Sequence, residues 1–336
     1  MKLKLLALAS LFLPLVASAQ LQVYSLEPTG TPADQPVLNA SYVTGISIRQ
    51  TWAKMEPNAP VNGQHTYDFS FFTGEIGRAQ QYGKLVELRV FVEAANAPSW
   101  VMAGSQTYNP PDGSSMIWVY WDPFGESNLQ ALYQALGQTF GSNPTVSIVV
   151  CSCDTQDSGD WSMPCTPQDV TKWTNATFQY TPQKNITACN SDIDVIAAAF
   201  PKSKVTVACG QDQTLDPSEN CVCDAIAYHM ATTLGTRAII QKNQFKAVSP
   251  TPINAGGTNF EILSNWMMLM QIGGQASWSV YGDTSYWDNG GVQASYAQIL
   301  ANLMQEMGTY GVTGPCELYQ IDIENLPKTI EGNLND

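Results

Sequence analysis

Seven acidic side chains lie at the ends of apolar segments where a β-strand is expected to finish, or within the last such segment. Two carboxyl groups that face each other across one cleft can work as acid and base, because their surroundings hold one protonated and the other ionised. A solvated acidic loop or a calcium site is the alternative for the three aspartates between 154 and 160. The seven candidates are Glu93, Asp154, Asp157, Asp160, Asp283, Glu317 and Glu324.

Polar and aromatic side chains also gather at the expected strand ends. Arg49 comes near the end of the first predicted strand, and Gln241 and Asn243 come near the end of the sixth. Arg49 could bind a ligand or pair with a carboxylate, and a buried structural ion pair is the alternative. A single ring is more often part of the core, but a shared position at strand ends favours a ligand cleft. The aromatic residues are Trp100, Trp118, Trp121, Trp161, Trp278, Tyr281 and Trp287.

Short β-branched and apolar segments alternate with segments whose apolar residues recur every three or four positions. This alternation predicts βαβ units, and eight strands predict an α/β fold, a single closed (β/α)₈ TIM barrel. A doubly wound open sheet is the alternative, but no Gly-x-Gly-x-x-Gly follows the first strand. The predicted strands are 45–50, 85–92, 116–121, 146–151, 204–208, 237–241, 276–281 and 316–321. The predicted helices are 71–82, 128–140, 192–200, 225–234, 260–272 and 294–310.

The N-terminus has the anatomy of a secretory signal peptide. The first four residues include two lysines, and they are followed by an apolar run over residues 5–16 and a small-x-small cleavage site at 17–19. The run is shorter than the roughly 20 residues that span a bilayer. We therefore expect 1–19 to be a signal peptide cleaved after Ala19, 20–336 to be the barrel domain, and the mature protein to be secreted or periplasmic without a membrane anchor.

The composition restricts the kinds of partner. The formal net charge is −14, and 44% of the 336 residues are hydrophobic. An acidic surface repels phosphate backbones and anionic lipid, so neither nucleic acid nor a membrane surface is an expected partner. It also disfavours polyanionic ligands. A neutral ligand suits this charge better.

The segment 152–191 is rich in Asp, Ser, Thr, Cys and Pro and is predicted to be a long loop over the carboxyl end of the fourth strand. Seven of the eight cysteines lie between Cys151 and Cys223. An even number of cysteines in an exported chain favours disulfides, so this loop is predicted to be stapled by them. A metal site is the alternative, but His65 and His229 are not at ligand spacing from the C-x-C pairs.

Four motifs follow one another within residues 45–101. They are Trp52-x-x-x-Glu-Pro, Tyr67-Asp-Phe, Gly83-Lys before the second predicted strand, and Pro98-x-Trp. In this order they resemble the start of clan A glycoside hydrolases, most closely the family 42 β-galactosidase-like barrel. The resemblance covers residues 45–101 closely and depends mainly on barrel order beyond them.

This resemblance implies hydrolysis of O-glycosidic bonds in a neutral polysaccharide or oligosaccharide by two carboxyl groups, without a cofactor or metal. The relatives carry glutamates at the ends of strands four and seven, and this sequence has a glutamate at neither place. Asp160, in Gly-Asp-Trp, takes the position of the acid, and Glu317 is the nearest glutamate in a strand for the second carboxyl group. Asp154, Asp157, Asp283, Glu93 and Glu324 are the alternatives.

The same resemblance assigns substrate binding to polar and aromatic residues around the cleft, because ring faces pack against the C–H faces of sugars. A glycan-binding barrel that has lost its acids is the alternative, and both diverged carboxylate positions favour it. A polysaccharide lyase is disfavoured by the small number of basic residues. The expected substrate-binding residues are Arg49, Trp100, Trp121, Gln241, Asn243, Trp278 and Tyr281.

Overall fold

Eight parallel strands close into a barrel in the computed structural model, which confirms the predicted barrel class. The structure describes residues 21–152, 163, 166–208, 221–245, 271–276, 279–281, 295–310 and 312–335. Its strands are β1 (Gln22–Leu26), β2 (Val43–Thr51), β3 (Leu85–Phe91), β4 (Thr107–Tyr108), β5 (Ile117–Trp118), β6 (Val146–Val150), β7 (Lys204–Val207), β8 (Ala238–Phe245), β9 (Gln271–Ala276) and β10 (Pro315–Tyr319). The barrel order is β1, β10, β9, β8, β7, β6, β3 and β2, while β4 and β5 form a separate antiparallel pair.

Helices surround this barrel. In the described part of the chain they are α1 (Gln35–Asn39), α2 (Trp52–Met55), α3 (Ser70–Gln81), α4 (Ser99–Gly104), α5 (Pro123–Phe140), α6 (Pro167–Trp173), α7 (Pro182–Ala199), α8 (Cys221–Leu234), α9 (Tyr296–Tyr310), α10 (Gln320–Asn325) and α11 (Pro327–Asn335), with short 3₁₀ turns at Ala94–Asn96 and Gly235–Arg237. The long helices α5 and α7 pack against each other on the outside of the barrel.

Three of these helices begin where the sequence supplies both a cap and a proline. The side chain of Asp122 accepts hydrogen bonds from the first turn of α5, and Thr181 does the same for α7. Thr166 and Asp169 form a reciprocal capping box at the start of α6. Each helix has proline in its first turn, where no intrahelical N–H is needed and the fixed φ suits the helix.

Side chains of the barrel strands alternate between an outer core beneath the helices and the barrel interior. Ile46 of β2 belongs to the outer core. Tyr24, Ile148 and Ile239 form a separate buried cluster, and it fills the interior because β1 and β8 are not neighbours in the barrel. Gly45 leaves room for this cluster, since a Cβ there would lie 2.4 Å from the ring of Tyr24.

One barrel strand was missed by the prediction, and one predicted barrel strand was assigned wrongly. β1 precedes the first predicted strand, and the segment 116–121 contributes only the short β5 outside the barrel. The ring of Trp118 is buried, and its indole N–H donates to the carbonyl oxygen of Val92 at 2.8 Å. The apolar character of this segment therefore reflects a core contact next to β3. β1 is short and carries Ser25, so its pattern is weak.

Further boundaries also differ from the prediction. The seventh barrel strand is β9, so the predicted strand 276–281 begins where β9 ends, and the predicted helix over 260–272 is wrong at its last two residues. The segment 152–191, predicted as a loop, contains α6 and the first half of α7. Pro167 and Pro182 suggested a loop, but proline in the first turn is compatible with a helix.

The predicted disulfide staple is not borne out by the cysteines whose side chains the structure describes. All four are buried, and no disulfide joins any two of them. Cys316 Sγ instead contacts Met307 Sδ at 3.1 Å, within the core between β10 and α9. The four are Cys151, Cys189, Cys223 and Cys316, whereas the side chains of Cys153, Cys165, Cys209 and Cys221 lie outside the described part.

The predicted signal peptide, 1–19, lies outside the described residues. Within the ranges that the structure does describe, no helix combines the length and the apolar character needed to cross a bilayer.

Candidate functional site

Glu317 lies at the centre of β10, and its side chain is fully buried. Its Oε2 accepts hydrogen bonds from Arg89 Nη2 at 2.9 Å and from Gln241 Nε2 at 2.5 Å. Arg89 belongs to β3 and Gln241 to β8, and neither strand is a neighbour of β10 in the barrel. The three side chains therefore meet in the barrel interior.

Arg89 also holds a second carboxyl group. Its Nη2 donates to Glu87 Oε1 at 2.8 Å, and the hydroxyl of Ser47 donates to the same oxygen at 3.2 Å. Glu87 and Arg89 are two positions apart on β3, so both project to the same face of the strand. Glu87, Arg89 and Glu317 are at most 1% exposed. One guanidinium group thus binds two buried carboxyl groups.

The two carboxyl groups differ in their preference for a proton. Burial raises the pKa of Glu87, and the negative charge of Glu317 raises it further. Burial also acts to raise the pKa of Glu317, but the charge of Arg89 and hydrogen bonds such as that from Gln241 outweigh burial and bring it below its ordinary value. Near neutral pH we therefore assign the proton to Glu87 and the negative charge to Glu317.

The polar contacts continue from Glu317 along β8 towards the carboxyl ends of the strands. Gln241 Nε2 also donates to Asn243 Oδ1 at 2.8 Å, and Thr206 donates to Gln241 Oε1 at 3.3 Å. Asn243 is half-buried, one interior position further along the strand than Gln241. The structure therefore brings three sequence-predicted residues, Glu317, Gln241 and Asn243, into one hydrogen-bonded chain.

Arg49 lies one interior position beyond Ser47 on β2. Its Nε donates to the backbone carbonyl of Glu27 at 2.5 Å, and its guanidinium group lies 5.6 Å from the ring centroid of Phe91. Burial lowers the pKa of Arg49 to about 10, and the neighbouring charge of Arg89 contributes. Arg49 remains a cation at neutral pH, and within the described part of the chain it binds a carbonyl and no carboxylate.

Two of the alternative carboxylates make local hydrogen bonds. Glu93 is fully buried and accepts from the backbone N–H of Val92 at 2.8 Å and from Asn96 at 3.2 Å. Glu324 lies on α10 and accepts from Gln320 at 2.9 Å, one helical turn away. Neither hydrogen-bonds to the Arg89 group in the described structure. Glu93 thus belongs to the turn that follows β3, and Glu324 to the helix that follows β10.

Two of the three predicted substrate-binding tryptophans lie in the described residues, and both pack against other rings of the protein. Trp100 lies edge-on to Trp52, with 6.1 Å between ring centroids. Trp121 is half-buried and contacts Trp173 at 5.7 Å and Tyr180 at 5.5 Å between centroids. These contacts place both tryptophans in ring clusters next to α2 and α6, apart from the Arg89 group.

Tyr281 follows β9 and is 37% exposed. Its backbone N–H donates to Asp322 Oδ1 at 2.6 Å, and the N–H of Val280 donates to both oxygens of that carboxylate. The ring of Tyr281 lies 5.4 Å from that of Tyr296, centroid to centroid. A carboxylate after β10 therefore fixes the segment after β9 at the carboxyl end of the barrel.

The other predicted site residues lie outside the described residues, so their roles stay predictions. They are Asp154, Asp157, Asp160, Asp283 and Trp278. No group of His, Cys, Asp and Glu side chains that could hold a metal ion occurs in the described ranges.

Sequence analysis missed Glu87 and Arg89, the two partners in β3, and it missed Asp322. The sequence Val-Glu-Leu-Arg-Val contains a usable signal, because charged residues at alternate positions of a strand flanked by apolar residues share one face. In a barrel strand that face is either the interior or the helix layer. A pair of opposite charges there predicts a buried ion pair.

Comparison with solved structures identifies the class of fold. The chain is similar to xylanase 10B from Thermotoga petrophila, with a TM-score of 0.52, 10% identity and coverage of 95% of this chain and 94% of that one. It is also similar to a GH5-4 broad specificity endoglucanase from an uncultured bacterium, with a TM-score of 0.54, 11% identity and coverage of 95% and 94%.

A β-galactosidase from the haloarchaeon Halorubrum lacusprofundi has a TM-score of 0.55 and 14% identity, and the match covers 89% of this chain and 52% of that one. No family model and no curated protein matches the sequence. The resemblance to clan A glycoside hydrolase barrels is thus confirmed at the level of the fold. β-Galactosidases are one of several kinds among these neighbours.

Proposed function

We propose that this chain is a glycoside hydrolase-like barrel that cleaves O-glycosidic bonds of a neutral polysaccharide or oligosaccharide. The observation that carries the proposal is the carboxylate of Glu317, which Arg89 and Gln241 keep ionised at the centre of the barrel. Hydrolysis by two carboxyl groups needs one that stays ionised as nucleophile or base. The shared fold and the net charge of −14 support a neutral saccharide as substrate.

In this proposal Glu317 is the ionised partner and Asp160 is the acid. Arg89 and Gln241 both bind Oε2 of Glu317, whereas its buried Oε1 has no hydrogen-bond partner within the described residues and is the candidate reacting oxygen. Asn243, half-buried above Gln241, is suited to bind a sugar hydroxyl. Asp160 would donate a proton to the leaving oxygen from the loop after β6.

A glycan-binding barrel without hydrolysis is the second candidate, and one observation favours it. Both carboxyl groups on Arg89 are fully buried, so a bound sugar would have to displace protein atoms to reach them. In that case the Arg89 group would stabilise the barrel, and the residues at its carboxyl end would bind the glycan without cleaving it.

Release of reducing ends from neutral glycans separates the two candidates. Purified residues 20–336 would be tested beside Glu317→Gln, Asp160→Asn and the control Glu324→Gln, with the fold of each checked by thermal unfolding. We expect the first two changes to reduce turnover about 100-fold or more, because each removes a reacting group. The control should keep wild-type turnover. Equal turnover in all four proteins contradicts the carboxyl assignment, and glycan binding without turnover in the wild type favours the second candidate.

We also propose that the protein acts outside the cytoplasm, after removal of residues 1–19. The support is the sequence pattern of the N-terminus. The intact mass of the exported protein should correspond to a chain that begins at Gln20, and a mass that includes the first 19 residues would contradict cleavage.

A further inference from the structure

A groove of about 320 Å³ lies between α5 and α7, outside the barrel interior. Trp121, just before α5, and Glu126, in its first turn, line one side of the groove. The other side is lined from the first turns of α7 by Gln183, Lys184 and Thr187. The groove is separate from the Arg89 group, because α5 and α7 belong to the outer layer of helices. Its volume is at the lower end of the range for small-ligand sites.

The groove lies beside the same end of the barrel as the candidate active site. β6 begins a few residues after α5 ends, and β7 begins a few residues after α7 ends. The carboxyl ends of both helices therefore adjoin the amino ends of the strands, and their first turns adjoin the carboxyl ends. A long ligand that occupies the barrel mouth can extend towards this groove.

Trp121 provides a fixed aromatic surface in the groove. Trp173 and Tyr180 pack against its ring at tilted angles of 55° and 54°, and Trp173 in turn stacks on Tyr108 with 3.7 Å between centroids. These contacts hold the ring in place before any ligand binds, which lowers the entropic cost of binding. The indole N–H of Trp121 donates no hydrogen bond within the described residues, so it is available to a ligand oxygen.

The polar lining of the groove fits a neutral ligand with many hydroxyl groups. Glu126 and Lys184 carry opposite charges, so the lining has no net charge although the whole chain carries −14. Gln183 and Thr187 are exposed, and their side chains hydrogen-bond to each other at 3.1 Å with capacity left over. Donors and acceptors beside one tryptophan ring are the groups that bind a sugar ring.

A second groove on the same helices makes a useful comparison. It has a volume of about 570 Å³ and lies further along α5 and α7, lined by residues that include Gln134, Gln138 and Asp194. No aromatic side chain lines it. The larger groove therefore lacks the flat apolar surface that a sugar ring requires, and Gln134 is a suitable control position.

We propose that the groove at Trp121 is a second binding site for neutral saccharide, in which a sugar unit packs on the indole ring and hydrogen-bonds to Glu126, Gln183 and Thr187. The site would retain a polysaccharide near the mouth of the barrel. The class of ligand rests on the proposed function, whereas the site itself is separate from Glu317 and can be tested without turnover.

Affinity electrophoresis in gels that contain xylan, β-glucan or galactomannan tests this site. Asp160→Asn is the background, so that hydrolysis does not alter the polymer and the buried ion pair of Arg89 stays intact. We expect Trp121→Ala to lower the affinity for the polymer that retards the background protein about tenfold, because loss of ring packing costs about 1.4 kcal/mol. The exposed double variant Gln183→Ala/Thr187→Ala should also weaken it, and Gln134→Ala should not.

Thermal unfolding shows whether each variant folds, and the double variant decides the outcome if Trp121→Ala does not fold. Wild-type retention in both groove variants, or no retention of the background protein by any of the three polymers, overturns the second site. Turnover in the wild type with unchanged retention in the groove variants refutes only this site. If the groove variants lose retention and no protein shows turnover, the second site is supported and the hydrolase proposal is refuted.

Discussion

Arg89 neutralises Glu317 and binds Glu87 from the same nitrogen, at 2.9 Å and 2.8 Å respectively. A buried ion pair contributes little net stability compared with apolar residues, because both charges lose their hydration. Removal of one partner is a different case, since it leaves a buried charge without compensation. The polar centre of the barrel thus makes stability depend on Arg89 even if the group has no role in catalysis.

At the residue scale we expect Arg89→Met to lower the free energy of unfolding by about 3–5 kcal/mol, because Glu317 keeps a buried charge without its cation. Urea denaturation at neutral pH measures the change. The double variant Arg89→Met/Glu317→Gln is the matched control, and it should recover part of the loss because no charge is left unpaired. A single variant as stable as the wild type would show that Glu317 is not ionised.

At the scale of elements, the packing of α5 on α7 depends on close approach at Gly137. A Cβ at Gly137 would lie 2.4 Å from the Cβ of Ala199 and 2.6 Å from its carbonyl oxygen. Backbone atoms cannot move away as a flexible side chain can. The two helices that carry the groove at Trp121 are therefore held together by a contact that only glycine permits.

We expect Gly137→Ala to destabilise the protein by about 1–3 kcal/mol, because the added methyl group forces α5 away from α7. Gly77→Ala in α3 is the control, since nothing lies within 4 Å of a Cβ at that position. The control should stabilise the protein by about 0.5–1 kcal/mol through the lower flexibility of the unfolded chain. Chemical denaturation of both variants tests the pair, and equal effects would contradict the close packing.

At the scale of the whole molecule, several buried acids bind a proton more tightly in the folded state. Burial raises the pKa of Asp192 and of Glu27 to about 8, and that of Asp322 to about 6. In the unfolded chain such groups titrate near 4. Each contributes stability that is fully present below its unfolded pKa and is lost as the pH rises through its folded pKa. The fold should therefore be more stable at mildly acidic than at alkaline pH.

Asp192 of α7 allows this pH dependence to be tested at one position. It is buried and accepts a hydrogen bond from Gln130 at 3.1 Å. We expect Asp192→Asn to raise the melting temperature more at pH 8.5, where the folded wild-type group has lost its proton, than at pH 5.5, where the folded state still holds it. Each 1 kcal/mol corresponds to about 2–4 °C in a domain of comparable size. An equal shift at both pH values would contradict the raised pKa.

Sequence patterns predicted the larger elements well and the short ones poorly. α3, α9 and the strand β6 follow from strong periodicity or a continuous apolar run. β1 was missed and the segment 116–121 was assigned to the barrel, since a run of a few residues does not reveal whether its apolar side chains contact helices or neighbouring strands. Which strand a segment pairs with, and which of its side chains are buried, depends on the rest of the chain.

The amino-acid sequence alone established the alternation of strands and helices, because periodicity is a local property, and the number of expected strands favoured a closed barrel over an open sheet. It also singled out Glu317 as a candidate catalytic carboxyl group and Gln241 as a candidate binding residue. Only the tertiary structure decided that Arg89, 228 positions away, is the partner of Glu317. Barrel closure brings opposite strands within reach of each other, and no local pattern encodes which interior side chains then meet.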